Sequence, residues 1–252
     1  MILNNLLLKI EQKKAKLDSL RPLSSNQLKN LKNYFDIEFT YNSNAIEGNT
    51  LSFSETKLVV NEGLTIGGKT LNEHLEAVNH KEAIDFIEKL SQNETITLQD
   101  IKNLHYLVLN NIDRKSAGTY RTIDVGVRKS DGSIYKFCEP IKVSENMQNF
   151  IQNLNKKDEN PVLKSAKVHL EFVTIHPFSD GNGRCARLLM NLVLLQNGYP
   201  LTIIKVEDRV KYIKAIEHYQ ESGDNSIFLE FIAKKVDESL DRYLELIDTK
   251  VI

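Results

Sequence analysis

This chain of 252 residues is short of cysteine, of net charge and of long apolar runs, and each shortage narrows what it can be. Its two cysteines, Cys138 and Cys185, have no metal-type spacing; a reducing cytosol suits them and neither needs a function. The formal net charge is −1, so no overall field draws the chain to nucleic acid or to an anionic membrane. The first residues, M-I-L-N-N-L-L-L-K-I, have no basic leader and no small-residue cleavage site, and no run is long enough to span a bilayer. With 41% hydrophobic and 27% charged residues, the composition suits a cytoplasmic protein with one sizeable core, or one domain with a small appendage.

What is present is mostly helical periodicity. Leu3, Leu6, Leu7, Ile10, Leu17 and Leu20 recur at helical spacing up to Arg21-Pro22, a stripe expected to dock on its own domain. Leu28, Leu31, Phe35 and Phe39 mark a second helix leading into Tyr41–Thr50, where Glu47-Gly48 alone reads as a helix end with a glycine cap. Gly63–Thr70 satisfies the P-loop pattern G-x-x-x-x-G-K-[S/T], but a P-loop needs a buried strand before it and a parallel sheet around it. A glycine turn with Thr70 capping a helix over Leu71–Leu90 is the better reading. Thr97 and Asp100 form a capping box for a helix extending through Ile112. His74, His80 and His105 fall on helical segments without paired ligands and are expected at the surface or in packing.

From Thr122 to Cys138 the period changes. β-Branched and aromatic residues flank Asp131-Gly132, a strong hairpin signal. Pro140 ends the hairpin, Ser144 is expected to cap the next helix, and Asn160-Pro161 opens another. His169 on that helix is expected to pack. A helix from about Glu207 carries Tyr212, Gly223-Asp224 breaks it, and an amphipathic helix runs from Ile227 to Ile247.

The most informative stretch is H-P-F-S-D-G-N-G-R-C-A-R, from His176 to Arg187. Pro177 disfavours α geometry at His176, so the preceding helix stops there. Gly181, Asn182 and Gly183 make a turn, and a helix apolar nearly all round starts at Arg184. Its polar exceptions, Arg184, Arg187 and Asn191, share one stripe. Two arginines on a buried helix are costly unless an anion meets them, and the helix N-terminus adds free amides and positive potential. Together they describe a socket for a di- or triphosphate. Asp180 is a hard ligand suited to Mg²⁺ bridging those phosphates. His176, with an ordinary pKa near 6.5, can take a proton near neutral pH. A capped helix, a core histidine and structural ion pairs would explain any one of these residues; their joint spacing points to the socket.

The stretch resembles the Fic-domain signature H-P-F-x-[D/E]-G-N-G-R-x-x-R at every fixed position, and Ser43 with Glu47 resembles the inhibitory motif [S/T]-x-x-x-E-[G/N] of the same family. The resemblance covers roughly Phe39 to Tyr243. It implies an all-α Fic-fold bundle with one β-hairpin. Residues 1–95 would be an N-terminal helical region with the inhibitory motif at 43–49. Residues 96–252 would hold the flap (118–140), the motif (176–187) and the C-terminal helices. It further implies transfer of AMP from ATP to a Ser, Thr or Tyr hydroxyl, with His176 as base. Asp180 would hold Mg²⁺, Gly181, Asn182, Gly183, Arg184 and Arg187 the phosphates, and Glu47 would pair with Arg187 to block them. Gly118, Tyr120 and Arg121 resemble the family's run into the flap, Val125, Gly126, Val127 and Arg128 its nucleotide-facing strand, and Tyr212 a nucleotide-lining tyrosine. Gln220-Glu221 stands where relatives often carry asparagine. Expected partners are a protein substrate along the flap, with self-modification and a homo-oligomer left open, and no nucleic acid or membrane. Two other readings stay open: a phosphodiesterase that removes AMP at the same site, and a non-catalytic nucleotide-binding regulatory module.

Overall fold

In a computed structural model, which describes residues 2–157 and 159–249, the fold is organised by the helix that begins within the 176–187 motif. Twelve of its fifteen residues are buried, so it cannot lie on the surface and its neighbours wrap around it. Ten helices surround or include it: α1 (Ile2–Ser19), α2 (Ser25–Ile46), α3 (Phe53–Glu62), α4 (Leu71–Leu90), α5 (Leu98–Leu109), α6 (Pro140–Asn155), α7 (Pro161–Ile175), α8 (Asn182–Gln196), α9 (Arg209–Ser222) and α10 (Ser226–Asp248). A short 3-10 turn, Val206–Asp208, leads into α9. Strands β1 (Gly126–Arg128) and β2 (Ile134–Lys136) pair antiparallel, with Val127 opposite Tyr135. The molecule is an all-α bundle carrying one hairpin.

α7 lies along α8; α4 and α5 flank it on one side, and α10 closes the bundle over α7. Leu188, Leu189, Leu192, Val193 and Leu194 of α8 are fully buried, each contributing roughly 1.5–3 kcal/mol of apolar burial. The main core draws on residues from Ile10 to Ile247, running across the 95/96 division. α1 docks along α10 through Ile10 and Leu17, with Lys13 paired to Asp237. None of the described helices is long and apolar enough to cross a membrane.

Several boundaries move from their expected places, each for a local reason. α8 begins at Asn182, not Arg184, because the break is Gly181 in the left-handed region at φ 73°, leaving Asn182 and Gly183 free to be helical. Pro140 starts α6 rather than ending the hairpin ahead of Ser144; a proline at the first turn loses no hydrogen bond. α5 stops at Leu109, before Ile112, where Asn110 leaves the helical region and Asn111 turns to φ 60°. Leu58-Val59-Val60 is helical, and Thr70 caps α4 in a box with Glu73, so the P-loop pattern is a turn between helices. The three histidines expected at the surface or in packing all pack. His80 stands edge-on to Phe39, and His74 accepts from the Ile66 amide.

Burial holds His80 and His169 well below the ordinary histidine pKa and brings His105 down to about 4. In the unfolded chain all three titrate near 6.5. Below that pH the unfolded state binds protons that the fold refuses, so stability falls with acid by on the order of 1 kcal/mol per pH unit for each histidine. Urea unfolding at about pH 7 and about pH 5 will show this loss; equal midpoints would mean that the fold accepts the protons.

Candidate active site

α7 ends because Pro177 forbids continuation, and His176 then turns into the left-handed region at φ 51° while its amide still donates to Phe172 O. The imidazole stacks on Phe137 at the foot of the hairpin, ring centroids 3.8 Å apart. Nδ1 faces the Val173 carbonyl at 3.3 Å and so carries the proton, which leaves the Nε2 lone pair free. Burial, with Arg121 adding to it, brings the His176 pKa down to about 4 against the opposing pull of the Val173 carbonyl, Glu47 and Asp180. At neutral pH the ring is an unprotonated base.

The loop after His176 is pinned from inside. Phe178 is fully buried, and the Asn182 amide accepts from its N–H and donates to its carbonyl, at 3.0 and 2.8 Å. His105 stacks flat on Phe178, centroids 3.6 Å apart. It accepts from Gly118 N at Nδ1 and donates from Nε2 to Asp180 O, both at 2.9 Å. His105 therefore joins the approach to the hairpin to the motif loop, a role that sequence spacing did not signal. No side chain caps α8, so its first amides point out of the loop.

Arg187 is 1% exposed. Its Nε donates to Ser43 Oγ (2.9 Å), Nη2 to Ser43 O (2.8 Å) and to Glu47 Oε1 (2.7 Å), and Nη1 to Tyr212 Oη (3.3 Å). Burial alone would lower its pKa, but Glu47 and Tyr212 more than offset that. The Tyr212 hydroxyl is braced in turn by His169 Nε2 at 2.8 Å. Glu47 caps α2, so the helix's negative end adds to its charge. Its side chain stays 39% exposed, so the pair is open to water on one side.

Glu47 is held there by α4. Asn44 donates to Glu76 O, Asn49 to Glu73 O and to Glu76 Oε2, and Thr50 donates through N–H and hydroxyl to Glu73. The Thr50 hydroxyl, followed by the amides of Thr70 and Thr50 and the Thr70 hydroxyl, brings the Glu73 pKa down to about 2. Arg209 at the start of α9 donates to Ile46 O. Gly183 completes the fit: a β-carbon at 183 would collide with Glu47 Oε1 and stand 3.2 Å from Arg187 Nη1.

Glu47, Arg128, His176, Gly183, Arg187 and Tyr212 share a cleft that Val127, Phe137, Ile213, Ile216 and Gln220 also line. It encloses about 170 Å³, below the ~300 Å³ at which small-molecule sites begin. The hairpin tip crosses its mouth: Ser130 donates to Glu217 and Lys129 pairs with Glu221. Other residues expected at the site lie outside the cleft. Ser43 sits behind Arg187, and Val125 and Gly126 stand at the hairpin's root. Arg184 turns to Glu76 Oε1 at 3.1 Å, a partner not anticipated from sequence, and lies 3.6 Å from Asp180. Asp180 is 71% exposed at the start of α8 and also accepts from Gly181 N. The Asn182 amide is spent on the loop and the Tyr212 hydroxyl on its braces, so neither group is free toward the cleft.

This arrangement, a cleft shared by a hairpin, a neutral histidine and a buried guanidinium on the central helix, defines an all-α class with one hairpin beside the start of that helix. Residues 95–194 match the Fic/DOC family. Over 99% of its length the chain superposes on Fic-1 (residues 134–508) from Caenorhabditis elegans, covering 74% of that structure at 31% identity and a TM-score of 0.88. The chain belongs to the Fic/DOC family. A Fic-domain signalling protein from Bacteroides thetaiotaomicron is similarly close, with a TM-score of 0.90, 29% identity, and 96% and 97% of the two chains covered. Among curated proteins, the protein adenylyltransferase Fic of Nematostella vectensis is 35% identical over 94% of this chain and 55% of its own. The protein adenylyltransferase fic-1 of C. elegans is 34% identical over 84% and 42%. The chain thus spans about half the length of the curated relatives it matches.

Gly183→Ala will push the Glu47 carboxylate off Arg187, because the obstructing atom is the end of a flexible side chain and yields before the backbone does. The Arg187 guanidinium NMR resonances will shift towards those of Glu47→Gln; an unmoved signal would show that the pair tolerates the methyl.

Proposed function

We propose that this chain transfers AMP from ATP to a hydroxyl of a protein and that Glu47 restrains it. The observation that carries this reading is the shared cleft, in which a neutral histidine with a free Nε2 faces an arginine already holding a carboxylate where a phosphate would bind. Residues 96–252 carry the chemistry and residues 1–95 the restraint. The fold supports the division by presenting Ser43 and Glu47 to α8 from α2. Free Cys138 and Cys185 suit a cytoplasmic setting.

In this mechanism an extended segment of the target pairs with a free edge of the hairpin and lays a Ser, Thr or Tyr hydroxyl beside His176. Nε2 accepts the proton as the hydroxyl oxygen bonds to the α-phosphorus; the bond from that phosphorus to the bridging oxygen breaks and pyrophosphate leaves. Arg187, freed from Glu47, and Arg184 hold the β- and γ-phosphates, while amides at the start of α8 face the growing charge. Asn182 serves by holding the loop's shape, and Tyr212 by bracing Arg187. Val127, Arg128, Ile213 and Ile216 also wall the cleft, and the nucleoside would lie against them. Among the described residues no cluster of three or more acidic, histidine or cysteine side chains could hold a metal. One exposed carboxylate still fits Mg²⁺, which commonly binds through one or two carboxylates with the rest of its shell from phosphates and water. Asp180 would hold it, and the ion would neutralise phosphate charge. The acceptor is another protein, the chain itself, or a second copy in a homo-oligomer whose contacts release Glu47.

Mass spectrometry of the Glu47→Gly protein with ATP and Mg²⁺ will show an adenylyl group on the chain or on a lysate protein, at a rate roughly 5- to 150-fold above the parent. Adding His176→Ala will cut this by about 10²–10⁴-fold. Unchanged turnover in the His176→Ala variant would favour the binding-module reading. Loss of AMP release from a modified target in Glu47→Gly, without gain of incorporation, would favour hydrolysis.

A further inference from the structure

Arg121 lies outside the nucleotide cleft, yet its burial demands an account. It is 3% exposed and makes no ion pair among the described residues, so a full positive charge sits in the protein without a counter-charge. Such burial is costly unless the group's donors are met by acceptors in good geometry. Here every acceptor on its nitrogens is backbone, apart from a distant Cys138 sulfur. Nε donates to His176 O at 2.8 Å, Nη1 to Ile123 O at 3.0 Å and Nη2 to Cys138 O at 2.5 Å. Its own amide donates to Pro177 O at 3.0 Å.

These carbonyls come from three separate places. Ile123 leads into the hairpin and Cys138 leads out of it. His176 and Pro177 form the strained peptide after α7, where a non-glycine residue holds φ 51°. Two further contacts close the junction: the Phe137 amide donates to Val125 O across the hairpin's root, and the Phe137 ring lies on the His176 imidazole. A planar fork can bond carbonyls in several directions at once, whereas an ammonium on a flexible stem cannot keep that arrangement.

We propose that Arg121 is a positioning residue for the transfer reaction, fastening both legs of the hairpin to the peptide that carries His176 so that a hydroxyl held by the hairpin meets Nε2 at a fixed distance. The inference rests on the proposed activity and deepens it. It explains why a hairpin of two three-residue strands, marginal alone, keeps a defined place over the cleft. It also separates two functions within the site: α8 binds phosphate, and Arg121 sets the acceptor against the base.

In the Glu47→Gly background, Arg121→Lys keeps the charge and loses the fork. We expect ATP affinity, measured by calorimetry, to stay unchanged while kcat for AMP transfer falls about 100-fold, the penalty of an ångström-scale misplacement. Equal losses in affinity and kcat, or no loss in either, overturn the proposal. A second measurement needs no variant. In the unsubstituted protein, amide hydrogen exchange at Arg121, Phe137 and His176 should report one common opening. Phe137 exchanging freely while Arg121 and His176 stay protected overturns it. If Glu47→Gly transfers no AMP at all, the activity reading fails, and the exchange result still decides whether the hairpin and the histidine move together.

Discussion

A guanidinium inside an apolar helix bundle is the constraint from which most of this structure follows. α8 is buried on nearly every side, and Arg187 goes in with it. Left unmatched, that charge would cost several kcal/mol. The fold meets it with Ser43, Glu47 and Tyr212, drawn from α2 and α9, and steadies Tyr212 with His169 from α7. Helices far apart in sequence must therefore arrive in register at one side chain. The guanidinium so held presents its charge to an anion, and the anion it meets is the Glu47 carboxylate.

The rest of the site divides between groups that touch the cleft and groups that shape it. Much of the signature turns out to be scaffolding: the Asn182 amide clips Phe178, Gly181 supplies a left-handed turn, and Gly183 leaves room for Glu47. His105 and Arg121 serve the same end from outside the motif, one beneath the loop and one beside His176. Both are buried and hydrogen-bonded almost wholly to backbone, as expected of groups that define geometry rather than react.

This division also explains what could be read from sequence. Where neighbours in space are neighbours in the chain, reading worked: the 176–187 stretch, the Thr70 and Thr97 capping boxes and the Asp131-Gly132 hairpin are all local. Distant partners were legible only where the family resemblance supplied them, as for Glu47 and Arg187, and were missed elsewhere. Glu76 meets Arg184 across 108 positions and His105 meets Asp180 across 75, and nothing near either residue announces the meeting. Arg121 could be placed at the approach to the hairpin, but the convergence of Ile123, Cys138 and His176 upon it is tertiary. The displaced starts of α6 and α8 have another origin, since proline and glycine mark a boundary without saying which side of it is helical.

Glu47 caps the C-terminal end of a 22-residue helix, and ends of helices open at little cost while their middles do not. Moving its carboxylate requires only that one turn unwind, with α2 itself still seated in the core. The anchors of that turn are few and named: Asn44 and Asn49 on α4, and Arg209 on the Ile46 carbonyl. A displacement of α4 or α9 would thus reach the Glu47–Arg187 pair through these bonds before it disturbed the seat of α2 in the core.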